Sequence, residues 1–201
     1  KARTNLIDPE RCEYLYNALP KSRVEVSGGS AGNTVAGLRS LGARAAFLGK
    51  VGDDALGRSY VADMKKIGAD FYGAPLKGGI STARSMIAVT PDGERSMNTY
   101  LGASTEFAAV DVDARAVASG EWLYLEGYLF DKPAAKTAFV HASEVAQASG
   151  RKVAITTARA SRVWPPASES RQPPASPGAR PVTRASTLNV TPRRRASATR
   201  P

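Results

Sequence analysis

Cysteine and histidine are almost absent from these 201 residues: Cys12 and His141 occur once each. A single thiol cannot build an internal disulfide framework, and it fits a reducing compartment. One Cys and one His also leave too few ligands for a Cys/His zinc site. No run approaches the roughly 18 consecutive apolar residues that a membrane helix needs. Residues 1–6 lack the apolar core of a secretion signal. A membrane is therefore not an expected partner, and the cytoplasm is the expected compartment. Lysine is missing after Thr156, and so is every acid except Glu169. Up to Thr156 there are 19 Lys and Arg against 17 Asp and Glu; beyond it 9 Arg face that one acid. The net charge of +10 resides almost wholly in the last 45 residues. A basic globular surface for nucleic acid is not what this composition describes.

What is present before Thr156 is periodic. Asp8 and Pro9 open a helix with Cys12, Leu15, Tyr16 and Leu19 on one stripe, stopped by Pro20. Residues 23–27 alternate around Val24 and Val26 and predict a short strand, followed by a Gly-rich turn into a helix bearing Val35, Leu38 and Leu41. Residues 45–51 predict a mostly buried strand. Asp53 or Asp54 then caps a helix through Leu56, Tyr60, Met64 and Ile67 that ends at Gly68. This strand–helix rhythm predicts a parallel sheet with helical crossovers. It is interrupted by two strand-like segments, 81–90 and 95–101, joined by Pro91-Asp92-Gly93-Glu94, which predict an antiparallel hairpin. It resumes with a strand at 122–125, a helix at 133–149 and a strand at 152–155. Cys12 is expected in the core, and His141 in a surface or capping position.

One stretch points to chemistry: Ser27-Gly28-Gly29-Ser30-Ala31-Gly32-Asn33. Two glycines at a strand end let the backbone approach a ligand closely and adopt positive φ. The helix behind them presents N–H groups without intrahelical partners. Asn33 offers an amide that both donates and accepts, which suits a sugar hydroxyl. The bland alternative, a tight turn with Asn33 on the surface, stays open on these residues alone. The stretch lacks the G-x-G-x-x-G spacing of a dinucleotide fold, and Gly49-Lys50 is followed by Val51 where a phosphate loop requires Ser or Thr.

Three motifs in order carry a resemblance. They are the Ser27–Asn33 stretch, Leu38-Arg39-Ser40-Leu41-Gly42-Ala43, and Gly49-Lys50-Val51-Gly52-Asp53-Asp54-Ala55-Leu56-Gly57. They resemble the first signature of the ribokinase-like (phosphofructokinase B) carbohydrate kinases. The hairpin from Thr82-Ala83-Arg84 to Met97-Asn98-Thr99-Tyr100-Leu101-Gly102-Ala103, with Tyr124-Leu125-Glu126-Gly127-Tyr128-Leu129, is most similar to the adenosine-kinase-like bacterial branch. The resemblance implies an α/β fold of three layers, α/β/α and here incomplete, over residues 1–156, with a small β-hairpin lid at about 81–101. It implies phosphoryl transfer from magnesium-ATP to a sugar or nucleoside hydroxyl. Gly28, Gly29 and Asn33 would hold substrate hydroxyls, and Glu126 would touch one; for Glu126 a solvated loop carboxylate is the alternative. The lid is also a candidate homodimer surface.

The sequence departs from that pattern downstream. The family's Gly-Ala-Gly-Asp stretch, source of its general base, has no counterpart, because no Asp follows Thr156. The chain is therefore expected to be inactive and not to bind ATP and magnesium. Residues 157–201, with 8 of the 13 prolines, predict a disordered basic tail. Arg, Pro, Ala and Ser share GC-rich codons, so a shifted reading frame near codon 156 accounts for this composition. The rival account is a non-catalytic binding module whose tail, with Arg193-Arg194-Arg195, binds a polyanion. Trp164 is the sole aromatic there, so nucleic acid is not the expected partner.

Overall fold

The computed structural model describes residues 4–20, 22–129, 132–156 and 189–192. Strand β1 (Thr4–Leu6) leads into helix α1 (Pro9–Ala18), where the Asp8 side chain accepts from the Arg11 backbone N–H at 2.7 Å. Cys12 is fully buried on its inner face, as its place on the apolar stripe predicts. Helix α2 (Ser30–Ser40), strand β2 (Ala46–Leu48), helix α3 (Ala55–Lys66) and strand β3 (Asp70–Tyr72) follow. The hairpin strands are β4 (Arg84–Val89) and β5 (Arg95–Tyr100), paired antiparallel from Arg84↔Tyr100 to Val89↔Arg95. Gly93 at φ 80° turns the chain between them. Helix α4 (Ala114–Ser119), strand β6 (Gly120–Glu126), helix α5 (Pro133–Ala148) and strand β7 (Lys152–Thr156) complete the α/β rhythm, and strand β8 is Asn189–Pro192.

Two sheets result. The larger has the order β3-β2-β8-β6-β7 and the smaller the order β1-β5-β4. Strict alternation along β2 explains the layering. Ala46 and Leu48 pack into one core with Val117 of α4, Leu123 and Leu125 of β6, and Phe139 of α5. Phe47, between them in sequence, packs into the other with Val35 of α2 and Met64 of α3. Helices thus cover both faces, giving the three-layer α/β/α arrangement. Phe47 also meets Tyr60 edge-on at 5.5 Å and stacks on Phe71 at 5.6 Å.

The structure corrects two expectations. Residues 23–27 join no sheet; Val24 and Val26 are 85% and 81% exposed. Alternation alone cannot make a strand without a neighbouring edge, and this segment is tied down by side chains instead: Tyr16 Oη donates to Glu25 Oε1 at 2.8 Å, and Arg23 Nε does so at 2.7 Å. The larger sheet is not purely parallel, because β8 runs antiparallel to both β2 and β6. Strand β8 is the one described part of the segment after Thr156, whose remaining residues, and with them the expected disordered tail, lie outside the described residues.

The smaller sheet is the hairpin plus β1, which pairs parallel to β5 through Thr4↔Met97 and Leu6↔Thr99. Helix α1 covers one face: Arg84 reaches Glu13, its guanidinium lies 4.8 Å from the Tyr16 ring, and Met86 is buried. By the period of two, Ile87 and Val89 point to the opposite face, together with Met97, the register partner of Ile87, and with Leu6. On that face Leu6, Ile87 and Val89 are exposed.

Candidate functional site

The di-glycine turn ends at the amino end of α2. Gly29 is the residue before its first turn, at φ 81°, and no side chain caps the helix there. A Cβ at Gly28 or Gly29 would meet nothing within 4 Å. Positive φ accounts for glycine at position 29. Neither positive φ nor crowding accounts for it at position 28, whose open side remains available to a ligand.

Glu126 terminates β6, at the carboxyl end of a strand, where open α/β sheets place their ligands. It is only 2% exposed, which overturns the solvated-loop alternative. Ser30 Oγ lies 3.2 and 3.3 Å from its two carboxylate oxygens. The first turn of α2 and the end of β6 therefore meet through this pair, 96 residues apart in sequence. Burial raises the Tyr124 phenol above its ordinary value, and the Glu126 carboxylate adds to the rise. Asn33 donates its backbone N–H to Gly29 O at 2.9 Å and sits exposed on the first turn of α2. Of the four residues singled out in the sequence, Gly28, Gly29 and Asn33 lie together by chain continuity, and Glu126 is brought to them by Ser30. Ser30 is the functional residue that no chemistry in the sequence marks. Its one signal is its position, one residue past the di-glycine.

A second connection lies beneath the turn. Ser27 Oγ donates to Asp63 Oδ2 of α3 at 2.6 Å. At the other end of α3, Asp54 caps the helix by accepting from Gly57 N at 2.7 Å, as the sequence predicts. Its carboxylate also takes the Thr82 backbone N–H and the Thr82 hydroxyl, both at 2.7 Å. Burial pushes the Asp54 carboxyl up, but these three hydrogen bonds outweigh it and hold the group below its ordinary value.

A cavity of about 310 Å³ lies at the base of the hairpin, lined among others by Leu6, Ile80, Thr99, Leu101 and Glu106. None of Gly28, Gly29, Asn33 and Glu126 lines it. Leu6 and Thr99 are register partners on the hairpin face opposite α1. Among the described residues no three His, Cys, Asp or Glu side chains converge to hold a metal ion. No helix among them is long and apolar enough to cross a membrane.

Comparison with known proteins places this arrangement. The family described as pfkB family carbohydrate kinase matches residues 3–170, extending past Thr156. The crystal structure of an adenosine kinase from Sinorhizobium meliloti is 52% identical in sequence with a TM-score of 0.71, covering 77% of this chain and 47% of that one. A probable sugar kinase from Rhizobium etli is 48% identical with a TM-score of 0.70, over the same shares. Fructokinase-1 of Zea mays is 26% identical over 150 residues, 74% of this chain and 46% of its own length. The chain spans about half the length of the relatives it matches. With the family match over most of its length and the three-layer ribokinase-like framework around the di-glycine turn, the chain belongs to the pfkB family of carbohydrate kinases.

Proposed function

We propose that this chain is the substrate-holding part of a nucleoside kinase, with Gly28, Gly29 and Asn33 cradling ribose hydroxyls, Glu126 accepting from one of them, and the β4–β5 hairpin closing as the lid. The observation that carries the reading is the burial of Glu126 against Ser30, which supports a single polar site built from two motifs distant in sequence. The exposed apolar face of the small sheet, with Leu6, Ile87 and Val89, favours a ligand with a flat apolar ring above its hydroxyls. A nucleoside has that division; a free hexose does not. Similarity to the Sinorhizobium adenosine kinase points the same way.

Magnesium-ATP would supply the phosphoryl group in this family. The residues described here offer no converging acidic set for a magnesium ion, and the sequence has no counterpart of the Gly-Ala-Gly-Asp stretch. They do not fit the phosphoryl-donor site. Their role is to bind and orient a hydroxyl and, through the lid, to exclude water. Calorimetric titration of adenosine, paired with a coupled assay of ADP release, tests both halves. Saturable adenosine binding without turnover is expected. Absence of binding would overturn the cradle; adenosine-dependent ADP release by the 201-residue chain would overturn the inactivity.

A further inference from the structure

The hairpin rises from two feet that touch. Ala103 N donates to Ser81 O at 3.0 Å. Gly102, at φ 46°, sits so close that a Cβ would lie 2.2 Å from that same carbonyl. The first foot is held from below by Asp54. Thr82 is buried, donates both its N–H and its hydroxyl to the Asp54 carboxylate, and accepts from Gly52 N at 2.9 Å. Asp54 simultaneously caps α3. One carboxylate therefore joins the amino end of α3 to the root of the hairpin.

Nine residues along, Asp63 of the same helix holds Ser27, immediately before the di-glycine. Beside Asp63, α3 is packed on α2: Val35 and Met64 share a buried cluster, and Tyr60, which lies between the two acids, packs against it. Two carboxylates on one helix thus grip the hairpin and the cradle separately, on a helix packed against α2. Hydrogen bonds to charged groups are stronger than neutral ones and fix direction as well as distance.

We propose that α3 is the common mount of lid and cradle, with Asp54 the positioning residue for the lid and Asp63 the positioning residue for the di-glycine turn. This deepens the nucleoside-kinase reading, on which the word lid rests, but the two grips are defined without any ligand. A helix that holds both parts fixes their mutual register, each through its own carboxylate.

Amide hydrogen exchange on the full chain tests it. Without ligand, Thr82→Val should raise exchange of residues 84–100 about tenfold while residues 27–33 stay as in wild type. Asp63→Asn should do the converse. Thr82→Ser, which keeps the hydroxyl, should restore the lid. A merely structural contribution would instead raise exchange throughout, α5 included, and that result, or no local change, would overturn the proposal. Adding adenosine is the separate arm. Protection of residues 27–33 in wild type and in Thr82→Val, but of the lid in wild type alone, is expected. Lid protection persisting in Thr82→Val would refute the mount. No protection anywhere in wild type would refute the nucleoside reading and leave the ligand-free arm to decide the grips.

Discussion

Ser30 Oγ touches both carboxylate oxygens of Glu126, at 3.2 and 3.3 Å, and so ties the first turn of α2 to the end of β6. A buried carboxylate in that position must be balanced by donors, and a ligand hydroxyl fits as a further one. Replacing it by Gln keeps the shape and removes the charge. Glu126→Gln should lower adenosine affinity at least about tenfold, read by calorimetry, with the melting temperature close to that of wild type.

The two glycines separate cradle from turn. Nothing crowds Gly28 and it needs no positive φ, so Gly28→Ala should leave stability within about 1 kcal/mol in denaturant unfolding yet abolish adenosine binding. Gly29 is held at φ 81°, and Gly29→Ala should cost about 1–2 kcal/mol as well as binding. Unchanged binding in Gly28→Ala would remove the ligand-approach role of that position.

Asp54 gives a pH signature. Its folded pKa is depressed, so the stability it contributes is fully present above the unfolded carboxylate value of about 3.9 and is lost as pH falls through the lower folded value. Urea midpoints should therefore begin to drop as pH falls below about 4, and the drop should be smaller in Asp54→Asn. Equal pH slopes in the two proteins would contradict the assignment.

Lys50 and Asp111 form an ion pair with Nζ–Oδ distances of 2.8 and 2.7 Å, both side chains largely buried. Asp111 also accepts from Ala108 N at 2.8 Å. Lys50→Met leaves that carboxylate buried without its cation and should cost about 3 kcal/mol in urea unfolding. Lys50→Met combined with Asp111→Asn should recover part of that loss, because the uncompensated charge is gone.

Much of this was legible in the sequence where the signal is local. The caps Asp8 and Asp54, the hairpin around Gly93 and the buried stripe with Cys12 are written in short windows, and the structure realises each. Residues 23–27 show the limit: a two-residue alternation reads as a strand, yet a strand exists only if another edge pairs with it. Strand β1 shows the reverse, since its three residues carry no pattern and are a strand because β5, some 90 residues later, receives them. Gly28, Gly29, Asn33 and Glu126 were each visible, while the Ser30–Glu126, Ser27–Asp63 and Asp54–Thr82 contacts were not. Such contacts join positions between 28 and 96 residues apart, and no periodicity records them.

The most direct test of the cradle is amide chemical-shift mapping of the full chain during titration with adenosine. The account predicts saturable perturbations concentrated at Gly28, Gly29, Ser30 and Asn33 and along β4 and β5. Saturable shifts confined to residues outside those segments, or none at all, would contradict it.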